Sequence, residues 1–258
     1  MTKRVTLITG ASSGIGAELA RIFASNGHDT VLVARRDDRL KLLADEIAAA
    51  GHPRPALITS DLCVTGACEQ IASQLKAMDV EVDTVVNNAG YGLFGEALDL
   101  DREQQLAMVD LNVRVLTDLT LRFADSLVRH RGGILNVASI ASFLPGPRMA
   151  VYYATKAYVL SFTEAMRGEL GPKGVRVTAL CPGTVPTEFQ GVAGFKPGLD
   201  SAVLNVSAAA VARAGYRGLM SNKRLVLPGV GVRMIPFMLR FAPRSLVLAS
   251  VARVQQKR

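Results

Sequence analysis

The chain has 258 residues, 49% of them apolar, enough to bury one full hydrophobic core. Its formal charge of +8 is uneven: residues 201–258 hold ten Lys and Arg but no Asp or Glu, which leaves −2 for residues 1–200. No apolar run nears the roughly 18 residues of a membrane span, the start lacks a secretory h-region, and Cys63, Cys68, Cys181, His28, His52 and His130 show no disulfide or metal-ligand spacing.

Short β-branched runs alternate with longer helical patterns, the mark of a parallel sheet flanked by helices. The first strand is predicted at Val5–Thr9. It leads into Gly10-Ala-Ser-Ser-Gly14-Ile-Gly16 and a helix over 15–27 with Ile15, Leu19, Ile22 and Phe23 on one face. A strand, a glycine-rich turn and a helix N-terminus together form a phosphate cradle: backbone N–H groups and the helix dipole face the anion, and glycines let it come close. The second strand, Thr30–Ala34, ends at Arg35-Arg36, with Arg35 nineteen residues past Gly16. An NAD site would place Asp or Glu there for the ribose 2′-OH; a guanidinium fork suits a 2′-phosphate instead and predicts NADP(H). Asp37 and Asp38 follow, one of them expected as N-cap of a helix over 38–50, although Asp37 turned onto the ribose would admit NAD.

The third strand, Ala56–Thr59, leads to Asp61, an acceptor for an adenine amine, and a helix over 65–78. The fourth, Thr84–Asn87, opens the compact turn Asn87-Asn-Ala-Gly90, and one long helix is expected over 102–130. The fifth, Gly133–Ala138, ends at Ser139, which can hydrogen-bond a substrate carbonyl. Helices over 152–170 and 207–221 and strands at Arg176–Leu180 and Arg224–Leu227 complete the pattern. The Gly- and Pro-rich stretch of about 182–206 reads as a functional loop. The expected architecture is a single α/β domain, a Rossmann-like doubly wound parallel seven-stranded sheet, with 229–258 as a basic, apolar C-terminal extension. Its chemistry-bearing residues fall at strand C-terminal ends, where such sheets bind ligands.

Tyr152-Tyr-Ala-Thr-Lys156 opens a helical pattern. Residues four apart share a helix face, so the Tyr152 phenol and the Lys156 ammonium can point into one cleft. A phenol titrates near ~10, and a neighbouring cation is expected to bring it down toward neutrality. Tyr153, three residues from Lys156, is the competitor and faces about one helical step away.

TGASSGIG at 9–16, Asp61, NNAG at 87–90, Asn112 in DLNV, Ser139, YYATK at 152–156 and PG at 182–183 together resemble the short-chain dehydrogenase/reductase family, in the correct order over about residues 4–190. The thirteen-residue step from Ser139 to Tyr152 is the family's usual spacing and favours Tyr152 over Tyr153. The resemblance implies that Tyr152 exchanges a proton with the carbonyl oxygen as the nicotinamide delivers hydride. Lys156 would lower the Tyr152 pKa and hold the nicotinamide ribose, Ser139 would orient the carbonyl, and Asn112 would keep a water linked to Lys156. The implied cofactor set is Gly10, Ser12, Ser13, Gly14, Ile15, Gly16, Arg35, Arg36, Asp61, Leu62, Asn88, Ala89, Gly90, Tyr152, Lys156, Pro182, Gly183, Val185 and Thr187. Thr187 would reach the nicotinamide carboxamide. A homodimer or homotetramer is also implied.

Beyond about residue 190 the chain departs from the 3-oxoacyl-carrier-protein reductases, whose glycine-rich close is replaced by Leu225-Val-Leu-Pro-Gly229 and the basic tail. It looks closer to uncharacterised bacterial reductases and to some steroid or long-chain 3-ketoacyl reductases. Residues 91–97 and 183–206 are expected to line the pocket, with Tyr91, Phe94, Phe189, Phe195 and Leu199 suiting an apolar carbonyl or alcohol substrate. In the tail, Pro236 and Pro243 are expected to break any helix, leaving apolar segments interleaved with Arg. These either lie on an anionic membrane, or cover the cleft or a subunit interface with the arginines solvated. No nucleic-acid motif accompanies the charge, so nucleic acid is not expected as a partner. Cytoplasmic residence, with membrane association through the tail as an addition, is the expected location. The rival function is a cofactor-binding redox sensor or scaffold without turnover; it needs the glycine loop but not Ser139, Tyr152 and Lys156.

Overall fold

Aliphatic and β-branched runs pair in parallel to give one seven-stranded sheet in the computed structural model of the chain, which describes residues 2–194 and 206–256. The strands are β1 (Lys3–Thr9), β2 (Thr30–Ala34), β3 (Ala56–Thr59), β4 (Val80–Asn87), β5 (Gly133–Val137), β6 (Arg176–Leu180) and β7 (Leu225–Val226). Their spatial order is β3-β2-β1-β4-β5-β6-β7. The chain winds outward from β1 to β3, then crosses back to place β4 beside β1, with Leu7 opposite Val85 and Ile8 opposite Val86. That reversal opens a crevice at the strand C-termini between β1 and β4.

Every residue of β2 and β5 is buried, as expected of parallel strands covered on both faces. Side chains alternate between the two faces. Leu7, Val31, Val85, Ile134 and Val177 join one core. Ile8, Leu32, Val86, Leu135 and Leu180 join the other. The second core is closed by α1 (Gly14–Ser25), α2 (Asp37–Ala49) and a later helix over Ala208–Met220, and the first by α3 (Ala67–Ala77) and the helices that follow β4.

The single helix expected over 102–130 is instead four pieces. α4 (Arg102–Val109) passes into a wide π-helical turn at Asp110–Val115, then α5 (Leu116–Arg122) and α6 (Ala124–Arg129), which meet at Phe123. Hydrophobic periodicity could not show the extra residue per turn, and such bulges favour functional sites. α7 (Ala150–Leu170) carries the Tyr–Lys pair, and the long loop contains a short helix that periodicity also missed, α8 (Glu188–Ala193). After α9 (Ala208–Met220) and β7, the tail forms α10 (Val230–Leu239) and α11 (Arg244–Gln256). Pro243 separates them as expected. Pro236 does not break α10: it forfeits one backbone bond, but buried Val232 and half-buried Ile235 and Leu239 hold the helix on the domain. No described helix is long and apolar enough to cross a membrane.

Candidate active site

A cavity of about 760 Å³ runs along the strand C-termini. Of the catalytic and cofactor residues expected from sequence, all but Gly16 and Asn112 line it. Gly14 has φ +57°, a left-handed conformation that L side chains adopt only with strain, and a Cβ there would sit 3.1 Å from the Thr187 methyl. Gly16 lies behind the loop, where a Cβ would collide with the Gly10 carbonyl oxygen. The Asn88 amide ties the turn after β4 to this loop, donating to the carbonyl oxygens of Thr9 (2.9 Å) and Gly10 (3.1 Å). The Thr9 hydroxyl oxygen accepts from the backbone N–H groups of Asn88 and Ala89, both at 3.1 Å.

Ser13 occupies the N-cap of α1 without capping it through its side chain, so the first-turn N–H groups remain for an anion. The Ser13 hydroxyl instead accepts from Arg36 at 2.9 Å, and Ser12 does so at 3.0 Å. The residues at this end therefore fit a phosphorylated dinucleotide: free helix N–H groups for a pyrophosphate, and a guanidinium held over two hydroxyls. Arg36 is also paired across the cleft with Glu188 (2.8 Å), the first residue of α8, which Arg39 approaches at 3.9 Å. These cations hold the Glu188 carboxyl below its ordinary range, chiefly through the Arg36 hydrogen bond. Arg35 lines the cavity and makes no ion pair among the described residues.

Asp37 is not an N-cap. It is the first residue of α2, where its carboxylate accepts from the Thr59 hydroxyl (2.7 Å) and pairs with Lys41 (2.7 Å). Both oxygens are thus engaged within the chain. One oxygen of Asp61 accepts from the Cys63 N–H at 3.0 Å, and neighbouring Leu62 is buried in the core.

At the other end, Ser139, Tyr152 and Lys156 are brought together and buried, the serine by the end of β5 and the other two by one face of α7. The Lys156 ammonium donates to the Val137 carbonyl oxygen at 2.8 Å and lies 5.9 Å from the Tyr152 ring centre. The expected depression of the phenol by Lys156 is not what the folded chain shows. Burial pushes the Tyr152 phenol up to about 12, with a hydrogen bond from Ser139 pulling weakly the other way. Burial likewise brings the Lys156 ammonium down to about 8. Loss of water penalises phenolate and ammonium alike, and the lysine spends a proton on a backbone carbonyl, leaving Tyr152 a neutral phenol, a proton donor, near pH 7.

Asn112 sits in the π-helical turn behind Gly90. Its amide donates to the Tyr91 carbonyl oxygen (2.9 Å) and the Thr155 hydroxyl (3.0 Å), and its oxygen accepts from the Tyr91 N–H (3.2 Å). Tyr153 faces away from the reacting pair, with its hydroxyl accepting from Gln255 in α11 at 2.9 Å. Thr187 caps α8 by accepting from the Phe189 N–H at 3.4 Å, and Pro182, Gly183 and Val185 form the cavity wall leading to it.

On the substrate side, Phe189 packs 5.5 Å from the Tyr152 ring, and Tyr91 donates to the Gln104 carbonyl oxygen at 2.7 Å. Phe94 lies under the Arg148 guanidinium rather than in the cavity wall. Phe195 and Leu199 fall outside the described residues. Sequence reasoning missed Thr155, Glu188, Arg148 and Gln255. Thr155 and Glu188 adjoin residues it singled out, while nothing marks a pairing of Gln255 with a tyrosine 102 residues away. No group of three or more His, Cys, Asp or Glu among the described residues could hold a metal, and Cys63, Cys68 and Cys181 are free thiols.

A model of the short chain dehydrogenase family matches residues 4–194. Sulfoacetaldehyde reductase 2 of Chromohalobacter salexigens is 37% identical over 188 residues, covering 72% of this chain and 74% of its own length. A short-chain dehydrogenase from Sphingobium yanoikuyae, solved in complex with NADPH, superposes with a TM-score of 0.82 at 31% identity, covering 95% of this chain and 94% of its own. The bulky-bulky ketone specific alcohol dehydrogenase of Comamonas testosteroni gives 0.79 at 28% identity, with the same two coverages. This chain belongs to the short-chain dehydrogenase/reductase family, oxidoreductases that act on alcohol and carbonyl groups.

Proposed function

We propose that the chain reduces an apolar ketone or aldehyde with NADPH, or oxidises the matching alcohol with NADP⁺. The observation that carries this reading is a buried Ser139–Tyr152–Lys156 cluster at one end of a cavity whose other end presents Arg36 over Ser12 and Ser13. The bound nicotinamide supplies or accepts the hydride. Tyr152 donates its phenolic proton to the carbonyl oxygen, and Ser139 orients that oxygen by hydrogen bonding. Lys156, locked onto the Val137 carbonyl, holds the ribose and electrostatically supports the phenolate left behind. Asn112 works one layer back, fixing Tyr91 and Thr155, and a water between it and Lys156 would return the proton. Phe189 against Tyr152 supports an apolar substrate.

Homodimers or homotetramers form part of the proposal. Leu106, Val109 and Leu121 of α4 and α5, and Tyr158 of α7, are exposed apolar side chains available for self-association. The cytoplasm is taken as its compartment, in keeping with three free thiols.

Fluorescence titration with NADPH and NADH, followed by a carbonyl panel, tests the reading. Tighter NADPH binding, weakened selectively in Arg36→Ala, together with ketone reduction, is expected. Equal or tighter NADH binding would reverse the cofactor assignment. A protein that binds cofactor but turns over no carbonyl would be the sensor or scaffold instead.

A further inference from the structure

α10 has two apolar faces. Val232, Ile235 and Leu239 face the domain, at helical spacing. A second stripe at 234, 237 and 238, at i, i+3, i+4 helical spacing and continued by Phe241 just past the helix end, faces solvent. Phe237 is 57% exposed and Phe241 76%, and their rings pack edge to face 5.5 Å apart. Met234 and Met238 are exposed beside them. On α11, Val247 and Val251 turn partly inward, while Leu246 and Leu248 join the exposed set.

Arg233, Arg240, Arg244 and Arg253 border these side chains, all exposed, and no Asp or Glu occurs from residue 201 onward. This charge decides between occupants. A two-fold contact between copies places the same patch on both sides, which would set arginines against arginines with no acid to separate them. An anionic lipid surface supplies both missing complements: headgroup charge for the arginines and acyl chains for the Phe and Met side chains.

The tail also touches the substrate end of the cavity. α10 packs on the turn Ile140–Phe143 that follows Ser139. On α11, Gln255 is buried, donates to the Tyr153 hydroxyl at 2.9 Å, and accepts from Arg148 through its carbonyl oxygen at 3.0 Å.

We propose that α10 and α11 form a docking surface for an anionic lipid bilayer, set beside the substrate end of the cavity so that the enzyme draws a lipid-soluble carbonyl compound from the membrane. The substrate class rests on the reductase reading, but the docking does not, so vesicle binding and turnover fail independently.

The test is flotation of the full-length protein with vesicles of phosphatidylcholine alone, or of phosphatidylcholine and phosphatidylglycerol at about three to one. The wild type is expected to float with the anionic vesicles, to stay below with the neutral ones, and to be released by about 0.5 M salt. Arg240→Gln/Arg244→Gln should weaken binding by about fivefold per arginine. Phe237→Ser/Phe241→Ser should weaken it by about tenfold or more. Both pairs are solvent-exposed, so NADPH titration and the melting temperature should be unchanged and report an intact fold. A wild type that stays below with both vesicle types overturns the proposal, as does flotation indifferent to both double variants. If Phe237→Ser/Phe241→Ser instead dissociates an oligomer seen by light scattering while the wild type ignores vesicles, the face belongs to a second copy and the proposal is wrong.

Discussion

The two ends of the cavity are built differently. Its cofactor end stands on strand termini of the central sheet, with each turn laced to the next by hydrogen bonds such as those of Asn88 and Thr9. Its substrate end is assembled from α8, the stretch after Gly90 and the C-terminal helices, elements far apart in sequence that meet through Phe189, Tyr153 and Gln255. On the proposed function, the sheet-based frame would hold what is common to the chemistry, and the patchwork of loop and tail what selects the substrate. Changes at the first end should strike turnover or cofactor binding outright, and changes at the second should move substrate preference.

The largest effect is expected for Tyr152→Phe. Removing the proton donor should lower kcat by about 10²–10⁴ in steady-state assays while leaving NADPH affinity unchanged. Tyr153→Phe, which removes the hydroxyl that accepts from Gln255, should keep kcat and shift KM. If the two variants behave alike, the division between a chemical and a substrate-side tyrosine is wrong.

Lys156→Met tests the cost of the rigid end. Burial lowers the Lys156 pKa from 10.5 to about 8, so the unfolded chain binds the extra proton between those values and the native protein is disfavoured wherever the ammonium must stay charged. The variant should abolish turnover yet be more stable at pH 7, by up to about 3 kcal/mol in urea unfolding. That advantage should shrink as pH rises from 8 through 10.5, where the lysine is neutral in both states.

Arg36→Ala should weaken NADPH about tenfold or more in fluorescence titration, the worth of a charge-assisted phosphate contact, and leave NADH nearly untouched. Equal losses for both cofactors would mean that Arg36 supports the loop rather than a phosphate. The smallest expected effect is that of Glu188→Gln, which frees Arg36 from an exposed ion pair. NADPH should bind about two- to fivefold more tightly, in line with the small worth of such pairs.

The same division explains what could be read from the sequence. The parallel sheet followed from β-branched runs alternating with helical patterns, and the cofactor end from Gly10, Gly14, Arg36 and Asn88, because those groups lie within a few residues of a strand terminus. Tyr152 and Lys156 were legible because four residues on a helix are a fixed geometry. The π-helical turn around Asn112 was not, since one extra residue in a turn leaves the apolar pattern nearly unchanged. Nor was α10 through Pro236, where burial of Val232, Ile235 and Leu239 outweighs a local rule. Gln255 was beyond reach: its only signal is tertiary, a partner brought near by the whole winding of the sheet.

The Arg36–Glu188 bridge spans the two ends and couples them. On the proposed function, a 2′-phosphate bound to Arg36 would compete with Glu188, the first residue of the helix that seats Phe189 against Tyr152. By reciprocity, whatever displaces α8 frees Arg36 and tightens the nucleotide by the same factor. A ketone analogue that displaces α8 should therefore change the NADPH affinity by the same ratio as NADPH changes the affinity for the analogue, as read by fluorescence titration of each in the presence of the other.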